Sequence, residues 1–122
     1  MSSDAPTARL VLVTAPDQDT ANSIASQLVE ERLAACVNLL PNVQSVYRWE
    51  GRVQRETEVL MLIKTLDGSI ADLQQRLLGL HPYELPEFVV LKPEHVEARY
   101  MAWIETNTKL AQGGGTDDRI DN

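Results

Sequence analysis

His81 closes an apolar helical stripe and opens the segment His81-Pro-Tyr-Glu-Leu-Pro-Glu87, where two prolines stiffen the backbone around an imidazole, a phenol and two carboxylates. A histidine beside Glu84 and Glu87 on such a loop has the donor types to ligate a divalent ion or to shuttle a proton. The structural alternative is a ring that closes the helix by bonding its last carbonyls. His81 is thus the candidate metal ligand, whereas His95 falls in the polar first turn of a later helix and reads as a surface residue. Cys36 lies in the apolar run Leu33 to Leu40, where a free cysteine usually behaves as a small buried hydrophobe. Lys64 follows Ile63 near a strand end, and either snorkels from the sheet or points a charge into a cleft. Phosphate-binding glycine loops, His-Glu-x-x-His and paired-cysteine zinc spacings are all absent. One cysteine and two histidines make a nucleophilic triad hard to assemble.

These side chains sit in a single domain of 122 residues with an ordinary 43% hydrophobic and 24% charged content. A formal charge of −7 disfavours nucleic acid and anionic membrane as partners. No stretch approaches a membrane span, and the opening Met1-Ser-Ser-Asp-Ala-Pro6 has neither a basic nor an apolar leader region. With a single cysteine, an internal disulfide is excluded, and the expected location is cytoplasmic.

The positioning elements follow from periodicity. Residues 1–8 read as a flexible N-terminus, and Arg9 to Thr14 as a strand buried on both faces. Asp17 or Asp19 caps a helix with the stripe Ala21, Ile24, Ala25, Leu28 and Val29. Two strands follow, Ala35 to Trp49 and Val53 to Thr65, joined by a turn at Glu50-Gly51. Ser69, with Asp72 three residues on, caps a second helix that buries Ile70, Leu73, Leu77 and Leu80 and stops at Gly79 and Pro82. Phe88 to Leu91 is a fourth strand. Glu94 to Lys109 is a third helix with the stripe Val96, Tyr100, Trp103 and Ile104, so that Trp103 is expected in the core. The domain spans 9–109, and the glycine-rich segment 110–122 reads as a disordered tail. The order β-α-β-β-α-β plus a C-terminal helix predicts an α+β, ferredoxin-like sandwich.

The long hairpin carries an assembly argument. Fifteen extended residues span roughly 50 Å, while a compact chain of this length is only about 35 Å across. The strand therefore bends, with Pro41-Asn42 as the site of a bulge, and its far half pairs with another subunit. Trp49, beside the turn, is the expected anchor of that contact.

Leu33-Ala-Ala-Cys-Val-Asn38, Tyr47-Arg-Trp-Glu-Gly51, Ile63-Lys-Thr65, the His81 to Glu87 segment and Tyr100-x-x-Trp103 together resemble the CutA family of divalent-cation tolerance proteins, from about Arg9 to Thr106. The resemblance implies a ferredoxin-like subunit, a homotrimer in which the hairpin reaches the neighbouring subunit, and a likeness to the PII signalling proteins. It also implies a link to copper and other divalent cations. Some members carry a cysteine where this chain has Val13, and a His-His pair where it has Leu80-His81, so His81 alone carries over from that copper site. The reading is non-enzymatic: response or tolerance to metal ions, no cofactor required, copper as the divalent cation that would bind. The alternative is a PII-like sensor or adaptor that binds a small molecule in inter-subunit clefts lined by Lys64, Tyr83, Glu84 and Glu87. An acylphosphatase-like hydrolase shares the subunit fold, but Thr14-Ala-Pro-Asp17 lacks the amides and arginine of a phosphate cradle. The aromatic-basic strands of an RNA-recognition module are also missing.

Overall fold

Residues 5–109 are described by the computed structural model, in the order β1 (Ala8–Ala15), α1 (Gln18–Glu30), β2 (Cys36–Trp49), β3 (Arg52–Leu66), α2 (Ile70–Leu80), β4 (Val89–Leu91) and α3 (Ala98–Asn107). The expectations for residues 1–4 and for the tail 110–122 fall outside the described residues. Thr7, inside the stretch read as a flexible lead-in, is held: its N–H donates to the Asp67 carboxylate and its carbonyl accepts from the Asp67 N–H. The strands form one sheet in the order β2-β3-β1-β4, every neighbouring pair antiparallel. No helix among the described residues is long and apolar enough to cross a membrane.

Both crossover helices lie on one face of the sheet. Val11, Val13, Met61 and Ile63 point to that face and pack with Ala21, Ile24 and Leu28 of α1 and Leu73 and Leu77 of α2, all buried. A smaller cluster of Ala8, Ala35, Leu66 and Ile104 ties α3 to the sheet end. The sequence predicts β1 covered on both sides, yet it alternates: Leu10 and Leu12 are only half-buried, because on their face α3 reaches only the Ala8–Leu66 end. That open face also presents Leu60 and Leu62, half-buried, and Leu40, Val89 and Leu91, exposed.

Local chemistry sets the element ends. Asp17 takes the cap position, its carboxylate accepting from the Thr20 N–H, so the choice between Asp17 and Asp19 falls on the former. Ser69 stands at the cap position of α2 but makes no side-chain cap bond. Its hydroxyl donates to the Lys109 carbonyl, and the helix is entered through a short 3-10 turn, Asp67–Ser69. α3 begins at Ala98 rather than Glu94, because the Glu97 carboxylate accepts from the Arg99 and Tyr100 N–H groups and so fixes the first turn there. Trp103 is 43% exposed and stacks on Tyr100 instead of entering the core. Only Ile104 of the expected stripe is buried.

Two of these anchors make stability depend on acid. The Thr20 N–H holds the Asp17 carboxyl below its ordinary 3.8. Burial alone would raise Asp67, but hydrogen bonds from Thr7 and Gly68, with Arg9 nearby, bring it below 3.8 as well. Carboxyls depressed by folding contribute stability above their ordinary value, and that contribution is lost as pH falls through the lower folded values. Thermal melts of Asp67→Asn should therefore lose midpoint relative to wild type at neutral pH and converge on it as pH falls below the carboxyl's ordinary 3.8 and the folded group protonates. A constant difference across that range would exclude the assignment.

Candidate functional site

The site is built by the mismatch in strand lengths. β1 ends where Ala15 pairs with Val59, so from Glu58 outward β3 pairs with β2 alone. Val43 to Trp49 and Arg52 to Glu58 thus form a two-stranded arm of about 23 Å that projects past the sheet. Its tip is a two-residue turn in which Glu50 (φ 53°) and Gly51 (φ 77°) both take left-handed backbone, the geometry that keeps a hairpin twist continuous. At its base the register slips between Leu40 and Val43, as Pro41-Asn42 led one to expect, with Asn42 also left-handed. The slip inserts one extra residue and exchanges the faces of β2. Ser45 and Tyr47, rather than Val46 and Arg48, therefore stand opposite Glu56 and Gln54 on the face that carries Glu58.

The connector from α2 to β4 folds over the arm's base. Because Pro82 follows, His81 is extended (ψ 138°) and ends α2 with its N–H on the Leu77 carbonyl. The imidazole is buried, 7% exposed, and bonds elsewhere than the helix carbonyls. Its Nε2 donates to the Thr14 carbonyl at 2.8 Å, and its Nδ1 accepts the Tyr83 backbone N–H at 3.1 Å. Since a carbonyl only accepts and a backbone N–H only donates, the two partners define the tautomer. Neither ring nitrogen keeps a lone pair for a metal. Tyr83, whose ring lies 4.7 Å from the imidazole, donates its hydroxyl to Glu58 Oε2 at 2.5 Å. Burial, and then the Glu58 carboxylate, push the Tyr83 phenol well above its ordinary value. The Glu56 carboxylate likewise raises Tyr47.

The arm and connector enclose an open cleft of about 950 Å³. Of the residues expected in a cleft, Tyr83, Glu84 and Glu87 line it and Lys64 does not. Lys64 stands six positions along β3 from Glu58, roughly 20 Å away, on the open sheet face, with its amine on Asn38 Oδ1 at 2.5 Å and 3.8 Å from Cys36 Sγ. Cys36 is half-buried on that same face, and His95 is exposed. Sequence reasoning passed over Glu56, Glu58 and Tyr47. A signal was present, because Glu56 and Glu58 continue the alternation of Leu60, Leu62 and Lys64, but only the register with β2 and the folded connector turns that face into a cleft wall.

The residues do not fit a resident copper ion. His81 has both nitrogens engaged, and no group of three or more His, Cys, Asp or Glu side chains among the described residues could hold a metal. What the arrangement offers is an acidic, aromatic-walled concavity with one carboxylate at its floor.

The sequence model of the family described as CutA1 divalent ion tolerance protein matches residues 9–107. Over 99 residues the chain is 44% identical to the divalent-cation tolerance protein CutA of Thermus thermophilus, covering 81% of this chain and 96% of that one. The solved structure of the divalent cation tolerance protein (Cut A1) of the same organism superposes with a TM-score of 0.82 at 43% identity, covering 84% of this chain and all (100%) of the other. The structure titled periplasmic divalent cation tolerance protein CutA from Archaeoglobus fulgidus gives a TM-score of 0.82 at 30% identity, over 84% of this chain and 100% of its own.

Proposed function

The chain belongs to the CutA1 divalent ion tolerance protein family, and from that premise we propose that it acts as a cytoplasmic, non-catalytic homotrimer in the response to divalent metal ions, with no resident cofactor. The relatives are named as tolerance proteins rather than enzymes. A ferredoxin-like subunit is part of this reading, supported by the strand order β2-β3-β1-β4 and by both crossover helices lying on one face.

The observation that carries the trimer is the uncovered apolar side of the sheet. Leu10, Leu12, Leu60 and Leu62 form its middle, and the two-stranded arm stands beside it with Val46 and Val53 each 56% exposed. A solvent-facing patch of this kind marks an interface, and an isolated two-stranded ribbon is marginal in water unless something packs on it. A three-fold ring supplies each arm with a neighbour and leaves none over. Trp49, 41% exposed near the arm's tip, is the anchor of that contact.

A host strain lacking its own CutA1 relative provides the functional test. The wild-type gene should restore growth in elevated Cu²⁺ or Zn²⁺, and a variant that cannot assemble should not. Equal growth with and without the gene at every metal concentration would remove the tolerance role. The single cysteine, Cys36, suits the reducing compartment, and cell fractionation checks it.

The second reading, a small-molecule sensor or adaptor of the PII kind, is favoured by one observation: the cleft of about 950 Å³ is large enough for an organic ligand and ends on a buried carboxylate.

A further inference from the structure

The open face of the sheet is apolar between two charges of opposite sign. Lys64 stands at the end that α3 docks on and Glu58 at the end where the arm begins, six positions along β3 and roughly 20 Å apart, with Leu60 and Leu62 between them on the same face. Among the described residues neither is in an ion pair, those found being Arg76–Glu31 and Arg99–Glu97. The Lys64 amine has only neutral company, Asn38 Oδ1 at 2.5 Å and Cys36 Sγ at 3.8 Å, and the Glu58 carboxylate, 7% exposed, accepts from the neutral Tyr83 hydroxyl. In a single chain the open face leaves both ends within reach of water. A second copy laid on Leu60 and Leu62 takes that water away, and an ion sealed into an apolar contact is strongly unfavourable unless an opposite charge meets it.

We infer that the two charges meet between copies: the Lys64 ammonium of each subunit is seated on the Glu58 carboxylate of the next, so that the ring closes head to tail through one such ion pair at every contact. The inference deepens the trimer reading and rests on it. Its direction follows from the arm, which continues the strands of its own sheet and so reaches a neighbour only where the strands run around the ring. Three-fold rotation then brings the arm end of one open face to the α3 end of the next. Glu58 and Lys64 occupy those two ends. Strands laid along the axis would instead gather all the ammoniums at one level and all the carboxylates at another, each set repelling itself. Leucine against leucine sets no register, whereas a buried pair penalises every slipped arrangement that leaves either ion facing an apolar surface. Tyr83 holds the Glu58 carboxylate in place for this contact. Lys64, which lies outside the cleft of its own chain, thereby enters the cleft of its neighbour.

Charge reversal in the full chain provides the test, with the mass read by light scattering over a dilution series. Wild type is expected at three times the chain mass, and a monomeric wild type would overturn the trimer reading and this inference with it. Given a trimeric wild type, Lys64→Glu and Glu58→Lys each bring like charges together, and each should raise the concentration of half-dissociation at least about a hundredfold. Joined in one chain, the two reversals restore the pair with its signs exchanged. That double variant should return to within about tenfold of wild type, the signature of direct coupling. Glu30→Lys, at an exposed acid of α1 on the other side of the sheet, should leave the mass unchanged. A double variant no better than its worse parent overturns the inference and leaves the trimer standing, as does a loss in Glu30→Lys equal to that in Glu58→Lys, which would report net charge alone. If Glu58→Lys fails to fold, a carbodiimide, which joins an amine to a carboxylate only in contact, answers on the wild type. Lys64 and Glu58 are too far apart to be joined within one chain, so a linked Lys64–Glu58 peptide is expected from the trimer, and its absence there overturns the inference.

Discussion

Arginine in place of Leu62 is expected to reduce the scattering mass from three times the 13.6 kDa chain to the chain itself, at micromolar concentration and with the circular dichroism of the subunit kept. Leu62 occupies the middle of the open face, opposite Leu12 on one neighbouring strand and Asn38 on the other. It is half-buried in the single chain and touches none of the core that the helices build on the far side. Folding of the subunit therefore tolerates a long charged side chain there, which can snorkel to water as long as nothing covers the sheet. Assembly does not. Three guanidinium groups would be driven together in an apolar contact without counter-charges, at a cost of several kcal/mol for each buried ion. Trp49→Ala is the milder companion. It removes an aromatic anchor at the arm, for which the usual loss is about 2 kcal/mol or more, so the trimer should dissociate at higher concentration rather than vanish. An unchanged mass for Leu62→Arg would show that the open face is not the interface, and a trimer would then have to rest on the arms alone.

The parts legible in the sequence are those whose chemistry is local. Glu50-Gly51 names a tight hairpin turn, and Pro41-Asn42 names an interruption, because proline cannot donate to the ladder and asparagine tolerates left-handed backbone. The overhang of the hairpin likewise follows from counting residues against the diameter of the domain. Failures began where a distant segment decides the outcome. Glu58 looks like one more acid in a polar stretch of strand, and becomes buried only because Tyr83, on a connector 25 positions later, reaches back to it. The Ser69-x-x-Asp72 pattern is a sound cap signal, overridden when the Lys109 carbonyl claims the hydroxyl. Trp103 shares a helical stripe with Ile104, yet one buried residue suffices to dock a ten-residue helix at the sheet's end, and the indole is left stacked on Tyr100. Lys64 and Tyr83 are grouped by the PII-like reading as walls of an inter-subunit cleft; within one chain Lys64 lies six positions along β3 from Glu58, the residue that Tyr83 reaches.

His81→Ala should produce the largest loss of stability among the site residues, and it should do so without changing the affinity for copper. The ring joins three segments that are remote in sequence: the end of β1 through the Thr14 carbonyl, the end of α2 that carries it, and the connector through the Tyr83 N–H. Alanine leaves a half-buried carbonyl and a half-buried amide without their partner, each costing up to roughly 1–3 kcal/mol, and opens a hole where a buried ring had been. The melting midpoint should fall by on the order of 10 °C, and Tyr83 should come away from Glu58, visible as a phenol that ionises at lower pH, since burial and that carboxylate are what raise it. Copper discriminates a pin from a ligand. For Cu²⁺ to use the imidazole it must displace either the Tyr83 N–H from Nδ1 or the Thr14 carbonyl from the Nε2 hydrogen, so added copper finds an easier donor in His95, which is exposed. In calorimetric titrations of Cu²⁺ at neutral pH, His95→Ala should therefore lose the affinity that His81→Ala keeps. The opposite result, affinity lost with His81 and retained without His95, would show that the connector yields its hydrogen bond to the metal and would return His81 to the role of ligand.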